Sequence, residues 1–475
     1  MKKLFIFLGF LLLSSTILFG QGYKINVKIS GLSDAAIYLG YYYGKHQYVR
    51  DTAFLDKKGM TVFQTNDTVD GGVYFIVLPE QKYFEIIIDK SREFSVEADT
   101  SLSAKSLKAK NSKENTDWFA YKVFIDEKGE KLSSLIKERK RLEDADKKDS
   151  ANIISEEINK INKEVISYRE KYIETNGKDL LVSKIFLAST DIEVPEAPLL
   201  DNGKKDSTFS YRYYRTHYWD NFDLTDDRLL RTPIYHGKLE QYFNKILPQI
   251  ADTIIKEVDT FIDKIDGNKE MFKYTVWYLT YNYETSKVMG MDAVFCFIVD
   301  KIYTKNRAFW VSENVNKKII ESAEKKKPNL IGKVAPELIL LGENNNFISL
   351  HSINADYTIL YFWDPSCGHC REETPKLINL YNDVKNTMNL KVYAVCSDTS
   401  ITSWKEDLKA KKMEPFINVN GTQSVKGNYH DLYDIFSTPV VYILDKKKRI
   451  IAKRISVDKI KGFLDFYIKH PMFED

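Results

Sequence analysis

Tyr357-Thr358-Ile359-Leu360-Tyr361-Phe362-Trp363-Asp364-Pro365-Ser366-Cys367-Gly368-His369-Cys370 is the stretch that decides the fold. The apolar run from Tyr357 to Phe362 has the length and composition of a buried strand. Beyond the cysteines, residues 371–384 carry apolar positions at helical spacing: Leu377, Ile378, Leu380, Tyr381 and Val384. A strand therefore hands over to a helix, with Cys367 and Cys370 on the helix's first turn. There the helix dipole and the free backbone N–H groups favour a thiolate, the nucleophilic form of cysteine. Two thiols at this spacing can open and close one disulfide.

Half of a zinc site has the same Cys-x-x-Cys spacing. A complete one needs two further ligands. His351 stands alone and Cys396 has no partner at ligand spacing, so no metal is expected. Pro375 falls inside the helical pattern and should kink it. Far downstream, Ser437-Thr438-Pro439 precedes the apolar run Val440 to Leu444. A proline opening a strand opposite a redox-active helix suggests a cis peptide.

From about Leu330 to the end, the chain resembles the thioredoxin-fold domain of the TlpA/ResA-like thiol–disulfide oxidoreductases. The likeness rests on several segments in order. Lys333-Val334-Ala335-Pro336-Glu337-Leu338 resembles the family's opening segment, and Asn346 to Leu350 its first hairpin. Cys367-Gly368-His369-Cys370-Arg371-Glu372-Glu373-Thr374-Pro375 matches the active-site helix. Thr438-Pro439 matches the cis-proline loop, and Leu444 to Ile451 resembles the closing hairpin. The resemblance implies that Cys367 attacks a substrate disulfide and Cys370 resolves the mixed disulfide. It also implies that Trp363, Thr438 and Pro439 contact substrate, and that no cofactor is required.

Two positions depart from the usual pattern or tune it. Tyr361 holds the place of the buried aspartate of typical thioredoxins, and a tyrosine is a poor proton shuttle at neutral pH. Glu373 falls where this family often carries a glutamate near the thiols, which makes it a candidate proton acceptor for Cys370. It is equally a solvated helix charge, as Arg371 and Glu372 are expected to be. Gly368-His369 resembles the dipeptide of protein disulfide isomerases. An imidazole near the Cys367 sulfur would stabilise the thiolate and make the disulfide more oxidising. A ring pointing into solvent would do little.

The other end of the chain speaks to compartment. Met1-Lys2-Lys3, the apolar run Leu4 to Leu13 and the small residues after it resemble a secretory signal peptide cut near Gly20. The run is short for a membrane span, although an uncleaved anchor is the alternative reading. Export to the periplasm or cell envelope fits disulfide chemistry. With four cysteines in 475 residues the chain is no disulfide scaffold. Cys296 and Cys396 sit in apolar runs and are expected to be packed. The net charge of +3 includes two lysines of the leader, and positive and negative residues interleave. No basic stripe points to nucleic acid.

Working back from the redox domain, the expected architecture is multidomain α+β. Residues 1–20 are the leader. Residues 21–112 alternate in short strands between turn residues and are expected to form an antiparallel β-sandwich. This pattern resembles the small β-domain fused ahead of secreted thioredoxin-like domains in some Gram-negative bacteria. Residues 113–327 carry helical periodicity. The Lys/Glu-rich stretch Lys128 to Lys171 is expected to be a long antiparallel helix pair. Tyr218 to Asp227, aromatic and acidic, is expected to be a structured connection. Glu324 to Asn329, with its charge run and Pro328, is expected to be a linker into the thioredoxin-like α/β domain at 328–475.

The sequence thus points to an exported thiol–disulfide oxidoreductase. Its partners would be exported protein thiols and disulfides, with an electron donor that the sequence does not name. Reduction is favoured over isomerisation. The competing reading is an envelope binding protein that uses the thioredoxin-like domain as a passive platform.

Overall fold

The computed structural model describes residues 22–426 and 428–473, so the leader expected at residues 1–20 lies outside the described residues. The described residues form two compact units, divided between Ile246 and Leu247. The division falls within the helical segment.

The first unit begins with eight strands: β1 (Tyr23–Ser30), β2 (Ala36–Tyr43), β3 (His46–Phe54), β4 (Met60–Thr65), β5 (Gly72–Val77), β6 (Tyr83–Ile88), β7 (Glu93–Asp99) and β8 (Lys108–Lys110). In β1 the alternation is complete: Tyr23, Ile25, Val27 and Ile29 are buried and the residues between them exposed, as a half-buried strand requires. The strands form two four-stranded sheets, ordered β4-β1-β7-β8 and β3-β2-β5-β6. One pairing departs from the antiparallel expectation, since β1 runs parallel to β7, from Lys24 beside Glu93 to Ser30 beside Asp99.

Helix α1 (Lys113–Asp144) starts at the Ser112 cap, whose side chain accepts from the Asn115 N–H. Asn115 then grips the edge strand β6. Its Oδ1 accepts from the Ile87 N–H at 2.7 Å, and its Nδ2 donates to the Ile87 carbonyl at 2.8 Å. The side-chain amide thus supplies the donor and acceptor of a missing neighbouring strand. The expected helix pair is present: α1 turns into α2 (Lys148–Asn176). Phe124 stacks on Tyr168 with centroids 4.6 Å apart, and Lys128 pairs with Glu164 at 2.5 Å. Shorter helices α3 (Leu181–Ala188), α4 (Phe209–His217) and α5 (Ile234–Gln241) follow. The aromatic–acidic connection is ordered by its own side chains. Tyr218, Trp219 and Phe222 are buried, and Asp223 accepts from Lys184 and Thr225.

The second unit opens with helices α6 (Ala251–Ile265), α7 (Lys269–Glu284), α8 (Asp292–Ile298) and α9 (Glu313–Lys326). Cys296 is buried in α8, as its apolar neighbours predict. The stretch expected as a linker is no free tether. Asn329 is 2% exposed, and its Nδ2 donates to the Leu432 carbonyl at 2.6 Å, while Lys326 pairs with Asp434 at 3.1 Å. Of the charges there, Lys326 reaches the following domain, whereas Lys327 pairs with Asp300 and Glu324.

That domain carries β9 (Ile339–Gly342), β10 (Phe347–Ser349), β11 (Tyr357–Trp363), α10 (Gly368–Val384), β12 (Leu390–Cys396), α11 (Ile401–Ala410), β13 (Ile417–Lys426), α12 (Tyr429–Tyr433), β14 (Val440–Leu444), β15 (Ile450–Lys453) and α13 (Val457–Lys469). One sheet runs β10-β9-β13-β12-β11-β14-β15. Strand β11 lies inside the sheet, parallel to β12 and antiparallel to β14. Its two faces feed separate cores. Ile359, Tyr361 and Trp363 pack with Cys370, Leu377, Trp404 and Leu464, while Leu360 and Phe362 pack with Leu340, Tyr429 and Tyr433. A strand covered on both faces is apolar along most of its length, which is why Tyr357 to Trp363 reads as an apolar run; its threonine, Thr358, accepts from Lys448 Nζ at 2.9 Å.

Candidate active site: a dithiol at the head of a helix

The site is built where β11 ends. Asp364 shapes the turn with an acceptor set that sequence reasoning did not single out. Its Oδ1 accepts from the Ser366 N–H at 2.7 Å and from the Ser366 hydroxyl at 2.5 Å, and its Oδ2 accepts from Ser397. Burial raises the Asp364 carboxyl, but these hydrogen bonds outweigh it and hold the pKa below the usual value. The backbone carbonyl of Asp364 accepts from the Cys367 N–H at 3.2 Å. An aspartate two residues before a serine is an Asx-turn signature, the signal from which this role was readable.

Cys367 is the N-cap of α10, and Cys370 lies in its first turn. Both are free thiols. The Cys370 N–H donates to Cys367 Sγ at 3.4 Å, and the Cys367 thiol faces the Thr438 carbonyl at 3.2 Å. Burial pushes the Cys367 thiol up. Hydrogen bonds involving Cys370, Thr438 and the His369 N–H outweigh that, and the thiol lies below its ordinary value. Cys370 is fully buried. Desolvation, reinforced by its neighbour Cys367, pushes its thiol well above the ordinary value. The two sulfurs are thus unlike: one half-buried and inclined to ionise, the other enclosed and held protonated.

The loop opposite is placed by the sheet. In the β11–β14 register Val440 lies beside Phe362, so the residues just before Val440 stand against the start of α10. The Thr438–Pro439 bond is cis, as expected from the sequence. Pro375 is accommodated inside α10, which continues to Val384.

Other site expectations fare differently. Trp363 is fully buried on the Tyr361 face of the sheet. It offers no surface to a substrate, which corrects the substrate-contacting role assigned to it. Its parity with Ile359 and Tyr361 along β11 is the reason. The His369 side chain is exposed, and the Cys367 sulfur is reached by the backbone N–H of that residue. Tyr361, also fully buried, pairs its hydroxyl with Thr374 Oγ1 at 2.8 Å. Burial raises its phenol, with the nearby Cys370, Glu373 and Cys367 adding to the effect. Glu373 is oriented by two other partners. Lys376 donates to Oε1 at 2.6 Å, and the Val457 N–H, at the start of α13, donates to Oε2 at 3.3 Å. Cys396 is buried at the end of β12, and desolvation pushes its thiol up to about 12.

Comparison with known proteins bears on this geometry. Residues 331–453 match the AhpC/TSA family. These residues thus form an AhpC/TSA thioredoxin-like domain, similar to proteins named thiol-disulfide oxidoreductases. Residues 23–118 and 146–331 match two domains of unknown function (DUF4369 and DUF5106). The thiol-disulfide oxidoreductase ResA of Bacillus cereus is 23% identical over 137 residues, 28% of this chain and 76% of that protein. A solved domain of a possible thiol-disulfide isomerase from Cytophaga hutchinsonii is 38% identical, covering 30% of this chain and 94% of that one, with a TM-score of 0.28. A thioredoxin-like protein from Bacteroides caccae is 20% identical over 58% of this chain and 99% of its own, with a TM-score of 0.45. Among the described residues no helix is long and apolar enough to cross a membrane.

Proposed function

We propose that this chain is an exported thiol–disulfide oxidoreductase that reduces disulfides of partner proteins through Cys367 and Cys370. The observation that carries the reading is the contrast between the two thiols. Cys367, half-buried and below its ordinary pKa, is the sulfur a substrate can reach. Its thiolate attacks one sulfur of the substrate disulfide. That S–S bond breaks, a mixed disulfide forms, and the displaced substrate sulfur takes up a proton. Cys370 then gives up its own proton and attacks Cys367 Sγ. The second substrate thiol leaves, and the site is left as a Cys367–Cys370 disulfide, having passed on two electrons. A separate electron donor restores the dithiol.

Thr438 and Pro439 present backbone beside Cys367, and the reading assigns them the pairing with an extended substrate segment. The proton of Cys370 is assigned to Glu373, the carboxylate three residues further along α10. Gly368 and His369 set the redox poise through the N–H groups of the first turn. Export is supported by the apolar stretch Leu4 to Leu13 behind two lysines.

The test is turnover. The protein should reduce insulin disulfides with dithiothreitol as electron source, and Cys367→Ser should abolish this. Cys370→Ser should stop after one step and accumulate mixed disulfides. Insulin reduction that persists in Cys367→Ser would sink the reading.

A further inference from the structure

Beside the cis-proline loop lies a pocket of about 540 Å³, formed wholly within the second unit. The turn after α7 supplies Val288 and Met289, the start of α8 supplies Asp292, and the loop ahead of β14 supplies Phe436. Five of its seven charged residues are paired with one another; the other two, Glu284 and Lys287, stand outside those pairs, and Glu284 accepts from the Ser322 hydroxyl. Asp434 takes Lys326 and Arg454, and Asp292 takes Lys453.

Two neutral polar atoms in its wall also lack a partner. Asn329 and Tyr283, each 2% exposed, line the pocket, and each carries a buried polar atom without a partner: Asn329 Oδ1 and the Tyr283 hydroxyl. The Asn329 amide is not simply reversed. Its Nδ2 donates to two carbonyls, those of Lys325 and Leu432, so its Oδ1 is the free acceptor. A buried polar atom without a partner costs about 1–3 kcal/mol. One free acceptor and one free hydroxyl match the N–H and C=O of a peptide.

The apolar side chains fit the same occupant. Phe436 is 80% exposed, Val288 45% and Met289 42%. Phe436 stands two residues before Thr438, whose carbonyl faces the Cys367 sulfur. Two residues of extended chain span roughly 7 Å. A segment paired alongside Thr438 through its cysteine would bring residues two to four positions away into this pocket.

We infer that the pocket is a subsite for the extended segment flanking a partner protein's disulfide cysteine, accepting an apolar or aromatic side chain two to four residues from that cysteine. This rests on the oxidoreductase reading above. It gives the helical part of the unit a role in choosing substrate. A peptide carbonyl accepts from Tyr283, a peptide N–H donates to Asn329, and the side chain covers Phe436 and Val288.

The test uses the full-length reduced protein and two synthetic peptides. Each carries one cysteine as a mixed disulfide with 5-thio-2-nitrobenzoate. One has phenylalanine three residues from the cysteine, and the other has alanine there. The Cys367 thiolate attacks the peptide sulfur, a Cys367–peptide disulfide forms, and the aromatic thiolate leaves with the electron pair and is read by its colour. The wild type should react with the phenylalanine peptide at least about tenfold faster than with the alanine peptide. Phe436→Ala and Val288→Asp, made separately at exposed positions, should each erase most of that preference. Their rates with the small symmetric disulfide of the same aromatic thiol should match wild type. Equal rates of the wild type on both peptides would overturn the inference, as would a preference that survives both variants. A variant that slows the small disulfide as much as the peptide would also overturn it. A wild type inert to the small disulfide would instead refute the oxidoreductase reading, so the two failures are distinguishable.

Discussion

Tyr361 occupies the position beneath the thiols where an acidic proton carrier is usual, and its replacement by phenylalanine separates a structural role from a catalytic one. The tyrosine is fully buried and Thr374 is 1% exposed, with their hydroxyls 2.8 Å apart. Tyr361→Phe leaves the Thr374 hydroxyl enclosed without that partner. The expected cost is about 2 kcal/mol, within the range for stranding a buried polar group. For a unit of this size that lowers the midpoint of thermal unfolding by roughly 4–8 °C. Thr374→Val alone strands the phenol and should cost about as much. The double variant removes both polar groups at nearly constant volume, so it should be more stable than the sum of the singles predicts by about 1–2 kcal/mol. Urea and thermal unfolding followed by circular dichroism measure all four proteins. Activity should tell the other half. Burial holds the phenol protonated at neutral pH, so Tyr361→Phe should keep the wild-type rate of mixed-disulfide resolution from pH 6 to 8. Strict additivity of the two substitutions would refute the pairing argument. A changed pH profile in Tyr361→Phe would make the tyrosine a proton carrier after all.

Glu373→Gln should leave the first attack by Cys367 almost unchanged and slow resolution by Cys370, so that mixed disulfides accumulate in stopped-flow and trapping experiments. Wild-type resolution across pH 6–8 would reduce Glu373 to its bonds with Lys376 and Val457. The Asp223 carboxyl is raised by burial but lowered further by hydrogen bonds from Lys184 and Thr225, ending at about 2. Its folded pKa is below its unfolded value, so its contribution is present above about pH 4 and is lost as pH falls toward about 2. Wild type should therefore lose more stability than Asp223→Asn between pH 5 and 2.5, read from urea midpoints of the first unit. Equal losses would contradict the shift. Cys396 and Cys296 are buried, with thiols pushed up to about 12 by desolvation. Native protein at pH 7.5 should leave both unalkylated while Cys367 reacts, as mass spectrometry would record. Early labelling of Cys396 would point to a third participating thiol.

The redox domain was legible because its signals are local. A strand-length apolar run, two cysteines and a helical repeat sit within 28 residues, from Tyr357 to Val384. Thr438-Pro439 could be matched to them because the family resemblance supplied the long-range partner. What was misread depends on facing and pairing. Trp363 stands next to the motif in sequence, yet strand parity turns it into the core with Tyr361. The β1–β7 pairing joins residues about 70 positions apart, and nothing in either strand's alternation states its direction. The charge run at Glu324–Asn329 resembles a solvated linker. Its partners, Leu432 and Asp434, lie more than 100 residues away, so composition alone could not reveal that it is pinned. Asp364 is a mixed case. Its Asx-turn pattern with Ser366 is local and readable, but its second partner, Ser397, lies 33 residues away.

The central claim is that the two thiols have divided roles, and differential alkylation of the reduced protein tests it most directly. Iodoacetamide labelling from pH 5 to 9, with each cysteine quantified by mass spectrometry, gives both rate profiles. The account predicts that Cys367 reacts first at every pH, with a midpoint below the ~8.5 of a free thiol, while Cys370 stays protected until the fold is opened. Faster labelling of Cys370, or two profiles that coincide, would contradict it.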